Sequence, residues 1–115
     1  MTDQARYLLI AAMDVDRAHE AVFNEVYDSE HVPSLSRVAG VKAIARYERV
    51  PLAMSIGGEI RQIESDAPRY HALYDLDNAE VLTGDQWADA VELGRWPSEV
   101  RPFTTNRRHI LLRRL

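Results

Sequence analysis

Residues 69–76, Arg69-Tyr70-His71-Ala72-Leu73-Tyr74-Asp75-Leu76, decide the fold, because large side chains occupy both of their alternating sets. In an extended strand successive side chains point to opposite faces of the sheet. Tyr70, Ala72 and Tyr74 therefore share one face, and His71 and Leu73 the other. A strand of this kind needs cover on both sides.

Upstream, residues 41–49 (VKAIARYER) alternate and predict another strand, and residues 6–13 (RYLLIAAM) form an apolar run that reads as a buried one. Downstream, residues 107–115 carry an apolar centre between arginine pairs, which suits a strand with polar edges better than a nucleic-acid arm. Asp16 offers an N-cap, with Ala18, Val22 and Val26 following at helical spacing, so a helix is predicted from Arg17 to Glu30. Pro33 is expected to stop it, with a further turn from Ser34 to Val38 closing at Gly40. A second helix is predicted over Asn78–Gly94 on Val81, Leu82, Trp87 and Val91, followed by an irregular WPSEVRPF.

The order is strand, helix, strand, strand, helix, strand. It predicts an α+β fold, the ferredoxin-like βαββαβ arrangement with one antiparallel sheet and both helices on one face. A chain of 115 residues makes one domain, 1–115, and leaves nothing to cover the second sheet face. A homodimer packed through that face is the expected solution. Residues 50–66 exceed a normal hairpin loop, and Gly57-Gly58 can close a longer hairpin. Two readings stay open for this insertion: a protruding or dimer-clasping arm, or a lid over a pocket.

Composition narrows the function by exclusion. The absence of cysteine removes disulfides, thiolate nucleophiles and Cys-ligated metals. A net charge of −4 argues against nucleic acid as the main partner. No stretch approaches the roughly 20 apolar residues of a membrane span, and MTDQARYLL lacks the order of a signal peptide, so no membrane partner and a cytoplasmic location are expected. The four histidines, His19, His31, His71 and His109, include no pair at metal-binding helical spacing, so no metal site is expected. There is no GxGxxG or GxxxxGK[ST] loop, hence no expectation of a nucleotide or other cofactor.

The most informative segment is Tyr27-Asp28-Ser29-Glu30-His31-Val32-Pro33. Tyr27 and Asp28 lie four and three residues before His31, so both are expected beside the imidazole on one helix face. A carboxylate next to a histidine at the negative end of a helix favours the imidazolium and orients the ring, as a general acid or base requires. The plainer reading is a surface histidine satisfying the helix end.

With Phe23-Asn24, Val38-Ala39-Gly40-Val41 and Ala45-Arg46-Tyr47, then Pro68 to Leu76, Trp96-Pro97-Ser98 and Asn106-Arg107-Arg108, this segment resembles the EthD-like branch of the dimeric α+β barrel superfamily. The resemblance covers nearly the whole chain. It departs at Val26, where relatives often have tryptophan, and at the Val50–Asp66 insertion. It implies a dimer of ferredoxin-like subunits, each with a small-molecule cleft between helices and sheet. Superfamily members include cofactor-free cyclases, lactone isomerases, quinone-forming monooxygenases and haem-degrading enzymes, so the fold alone does not give the reaction.

Other candidates for the cleft are Arg46, able to hold a carboxylate or enolate or else to pair with Asp28 or Asp75, and Tyr70 and Tyr74, which present hydroxyls or simply pack. His71 falls either in the cleft or at the dimer interface, and Trp87 is core or cleft wall. The leading expectation is a cofactor-independent lyase or isomerase of cyclase type acting on a small cyclic or aromatic substrate. His31 would be its general acid/base, oriented by Asp28 and assisted by Tyr27. The alternatives are a non-catalytic dimeric binding protein and a cofactor-free monooxygenase.

Overall fold

A computed structural model describes residues 6–115. In chain order its strands are β1 (Tyr7–Val15), β2 (Val41–Glu48), β3 (Leu52–Ile56), β4 (Glu59–Ile63), β5 (Tyr70–Leu76) and β6 (Thr104–Arg113). The α-helices are α1 (Glu20–Val26), α2 (Val32–Ser36) and α3 (Asp85–Ala90). Four strands form one antiparallel sheet in the order β2-β5-β1-β6, and β3 and β4 pair separately as a hairpin. With the hairpin set aside this is the expected ferredoxin-like arrangement.

Strand alternation sorts the sheet into two unlike faces. Leu9, Ala11 and Met13 of β1 and Tyr70, Ala72, Tyr74 and Leu76 of β5 are buried. They pack with Phe23, Val26, Leu35, Val38, Trp96 and Val100 in one core. The opposite face is built from cross-strand rows, among them Ala45–Leu73–Ile10–Ile110 and Tyr47–His71–Ala12–Arg108. No element among the described residues forms a second layer there, and Ile110 and Leu112 stay 52% and 45% exposed.

Local chemistry explains the helical segments and where they depart from expectation. Asp16 caps the first turn by accepting from the His19 backbone N–H at 3.0 Å. The helix does not stop before Pro33: Tyr27–His31 form a π turn and α2 continues through the proline. The Val32 N–H reaches back five residues to the Tyr27 carbonyl, a widening that accommodates a ring otherwise in conflict with the preceding turn. Residues 96–103, expected to be irregular, repeat the device. Trp96–Val100 is a π turn, the Arg101 N–H bonds to the Trp96 carbonyl, and Pro102 follows. The second helix is shorter than its apolar spacing implies. Gly84 is extended and divides a 3₁₀ segment, Ala79–Thr83, from α3.

The insertion folds as the hairpin β3–β4, turned by Gly57 and Gly58 at φ +63° and +86°. Leu52, Met54 and Ile56 share one face of it with Ile63, and all four are exposed.

Gly40 shows how tightly the helical layer is closed on the sheet. It sits at φ +94°, and a Cβ there would overlap the stiff Val81 side chain. Gly40→Ala should therefore cost about 2 kcal/mol in urea unfolding. In a Val81→Ala background the same step should cost about 1 kcal/mol less. An equal penalty in both backgrounds would refute the overlap as its cause.

Candidate active site

Between the helical layer and the sheet lies an open cavity of about 320 Å³. Its floor is Leu9, Ala11 and Met13 of β1 with Tyr74 of β5. One wall carries Tyr27, His31 and Leu35, and the other Leu82, Trp87, Val91 and Trp96. Arg101, Thr104, Arg107 and His109 close the remaining side. Among the described residues no carboxylate lines it.

The two π turns meet at this cavity. Tyr27 and Trp96, the first residue of each, pack edge to face with centroids 4.8 Å apart. The His31 ring lies flat on the Trp96 indole, 3.9 Å between centroids and 10° between planes. Immediately before each partner in sequence is a residue of an ion pair. Glu30 accepts from the Arg95 backbone N–H at 2.9 Å and from Arg95 Nε at 2.5 Å. These bonds hold the Glu30 carboxyl below the usual carboxylate range. Gly94, at φ +67°, leaves room that any Cβ would take from the Glu30 carboxylate.

His31 is 6% exposed, and its Nδ1 has no hydrogen-bond partner among the described residues. Burial, then the nearby Arg101 charge, lower its pKa from 6.5 to about 4, with Glu92 opposing. The imidazole is therefore neutral at physiological pH, the state of a base. Tyr27 and Tyr74 place their hydroxyls 3.3 Å apart in the buried part of the site. Burial raises both phenols, Tyr74 further because Tyr27 adjoins it. They act as hydroxyl donors rather than phenolates.

Of the residues expected from sequence, His31, Tyr27, Tyr74 and Trp87 line the cavity. Asp28 does not contact the imidazole. It is largely exposed and takes a hydrogen bond from Arg46 at 2.8 Å. The π turn changes the side-chain spacing on which the Asp28–His31 pairing rested. Arg46 lies outside the cavity, held by Asp28 and Asn24, with its guanidinium 4.4 Å from the outer face of the Tyr27 ring. Tyr70 donates to Glu20 at 2.6 Å, away from the cavity. His71 is on the opposite sheet face, beside Tyr47 and Ala12 in register.

The sequence gives no site role to Trp96, Arg107 or His109. For Arg101, in the loop before the last strand, it leaves two readings, the cleft mouth or solvent, with solvent preferred; the structure puts it in the cavity lining. The signal for Trp96 was present: an aromatic six residues before a proline begins both π turns, Tyr27 before Pro33 and Trp96 before Pro102. His109 is held below the usual histidine range by burial and then by Arg107. Among the described residues no group of acids and histidines is arranged to hold a metal ion.

The chain superposes on an ethyl tert-butyl ether D (EthD) family protein from Bacillus halodurans with a TM-score of 0.58 at 16% identity. The match covers 96% of this chain and 99% of that one. No family model matches the sequence, and no curated protein does. The fold of the described residues is thus EthD-like.

The buried neutral imidazole makes stability depend on pH. The unfolded chain protonates His31 below about pH 6.5 and the folded chain only below about 4, so this contribution is complete above 6.5 and is lost as pH falls between the two. Between pH 7 and pH 4 the loss should be about 3 kcal/mol. Urea unfolding of wild type and His31→Phe across that range isolates it, because carboxylate titrations are common to both. Parallel pH curves would disprove the depressed value.

Proposed function

We propose that the cavity is the active site of a cofactor-independent lyase or isomerase of cyclase type, with His31 as general base. The observation that supports this most is a buried, neutral imidazole that lines the cavity and lies flat on Trp96 among aromatic and aliphatic walls. A planar ring substrate fits between such walls. His31 takes a proton from an acidic C–H or hydroxyl of the substrate and returns it to the product skeleton. The charge that develops on the substrate oxygen is met by the Tyr27–Tyr74 hydroxyl pair, one proton of which is free to donate outward. Orientation of the base comes from the stack on Trp96, in place of the carboxylate expected from sequence.

One observation favours a second reading, a cleft that binds and does not turn over. Among the described residues no carboxylate bonds to the imidazole to stabilise its protonated form. Deuterium exchange at the acidic ring C–H of 2-tetralone, followed by proton NMR, separates the two. The enzyme reading expects catalysed exchange, a drop of about 10²-fold or more in His31→Gln, and an acidic limb near pH 4 rather than 6.5. Binding of 2-tetralone without acceleration would establish the second reading.

The bare sheet face is proposed to pack on a second copy, giving a homodimer. Ile10, Leu73, Ile110 and Leu112 supply a contiguous apolar strip, larger than scattered exposed residues would leave. The β3–β4 hairpin contributes no residue to the cavity lining, so its exposed apolar face suits an arm on the partner and not a lid. Sedimentation at micromolar concentration should give twice the 13.1 kDa chain mass, and Ile110→Glu should yield monomer. A monomeric wild type would end the proposal.

A further inference from the structure

We propose that the cavity selects a ring compound bearing one carboxylate, and that Arg107 is the side chain that selects it. The inference rests on the cavity being a ligand site and adds the charge of the ligand.

A β-bulge aims Arg107. On β1 the pairing with β6 steps two residues, Ala12 to Asp14, while β6 steps three, Arg108 to Thr105. Asn106 takes up the extra residue at φ +50°, a conformation that asparagine tolerates better than most. The shape is clamped: Asn106 Nδ2 donates to Asp14 Oδ2 at 3.0 Å, and Asp14 Oδ1 accepts from the Arg69 backbone N–H at 2.7 Å. Thr104 lines the cavity, so without the slip 106 and 108 would follow it there. With the slip, Arg107 and His109 do.

Charge accounting then gives the ligand class. Two guanidiniums line the cavity, and among the described residues no carboxylate does. Arg101 is already neutralised by Glu92, which takes hydrogen bonds at 3.0 and 2.6 Å, and Arg101 also donates to the Val91 carbonyl. Arg107 has no ion-pair partner among the described residues. His31 is uncharged, and His109 is held below its usual range, partly by Arg107 itself. The site therefore carries one uncompensated positive charge at its mouth over an apolar, aromatic interior. A carboxylate attached to a ring satisfies both, because a guanidinium binds it through two parallel hydrogen bonds.

The test compares 2-naphthoate with 2-naphthamide, matched in shape and differing in charge, by isothermal titration calorimetry at low ionic strength. The wild type should bind the carboxylate about tenfold tighter. Arg107→Gln should bring the two within about twofold, chiefly by weakening the carboxylate, while Arg107→Lys keeps part of the preference. Asn106→Gly, which retains the positive φ, should keep the preference, and Asn106→Val, which disfavours it, should lose it. Equal binding of both probes by the wild type, or an undiminished preference in Arg107→Gln, would overturn the assignment to Arg107 while the ligand site stands. Failure of both probes to bind would overturn the ligand site and this inference together.

Discussion

The ion pair between Glu30 and Arg95 is the constraint on which the rest of the site depends. It joins two segments 65 residues apart through both a side-chain and a backbone hydrogen bond. Each partner is followed directly by a ring, His31 after Glu30 and Trp96 after Arg95, so fixing the pair fixes the stack. Exposed ion pairs contribute little to stability, but Glu30 is only partly exposed, and its bond to a main-chain N–H positions backbone as well as side chain. Gly94 belongs to the same device, since any larger residue would displace the carboxylate. The latch is a positioning element, and its product is a histidine whose ring has one orientation.

That orientation sets the electrostatics. Burial against Trp96 removes water from the imidazole, and the neutral form then has no competitor near pH 7. The same dryness raises the two tyrosine phenols, so they remain donors. Arg46, packed against the outer face of Tyr27 and neutralised by Asp28, supports the ring without entering the cavity. A neutral imidazole and a pair of protonated hydroxyls thus border one cavity.

The sheet was legible in the sequence because alternation is a short-range signal. Residues 41–48 and 70–76 alternate as strands do, and Asp16 and Gly40 mark ends that sterics and capping require. Tyr74 follows from the same alternation, whereas Tyr27, His31 and Trp87 line the cavity although their helical segments differ from the regular helices expected. The Asp28–His31 pairing failed because i, i+3 neighbours were counted on a regular helix, and a π turn rotates the two apart. Arg107 and His109 were invisible because a bulge depends on what lies across the sheet, here Asp14 on β1. Short-range patterns carry no information about such a partner.

Three backbone irregularities of this chain lie together, while a fourth, the bulge on β2 between Val41 and Ala43, lies outside the cavity lining. Both π turns and the Asn106 bulge border the cavity, whereas β5 runs through the middle of the sheet in regular register with β1. Irregular backbone persists where surrounding contacts over-determine it, and each of these three has a named clamp: Glu30–Arg95 for the turns and Asp14–Asn106 for the bulge. The bulge also has a second consequence. β6 presents Arg107 and His109 to the cavity and Arg108, Ile110 and Leu112 to the bare face. A slip of one residue would exchange the two sets, placing isoleucine in the cavity and a guanidinium in the apolar strip. One hydrogen bond from Asn106 to Asp14 therefore keeps both surfaces of the sheet in register, the one that borders the cavity and the one that faces away from it.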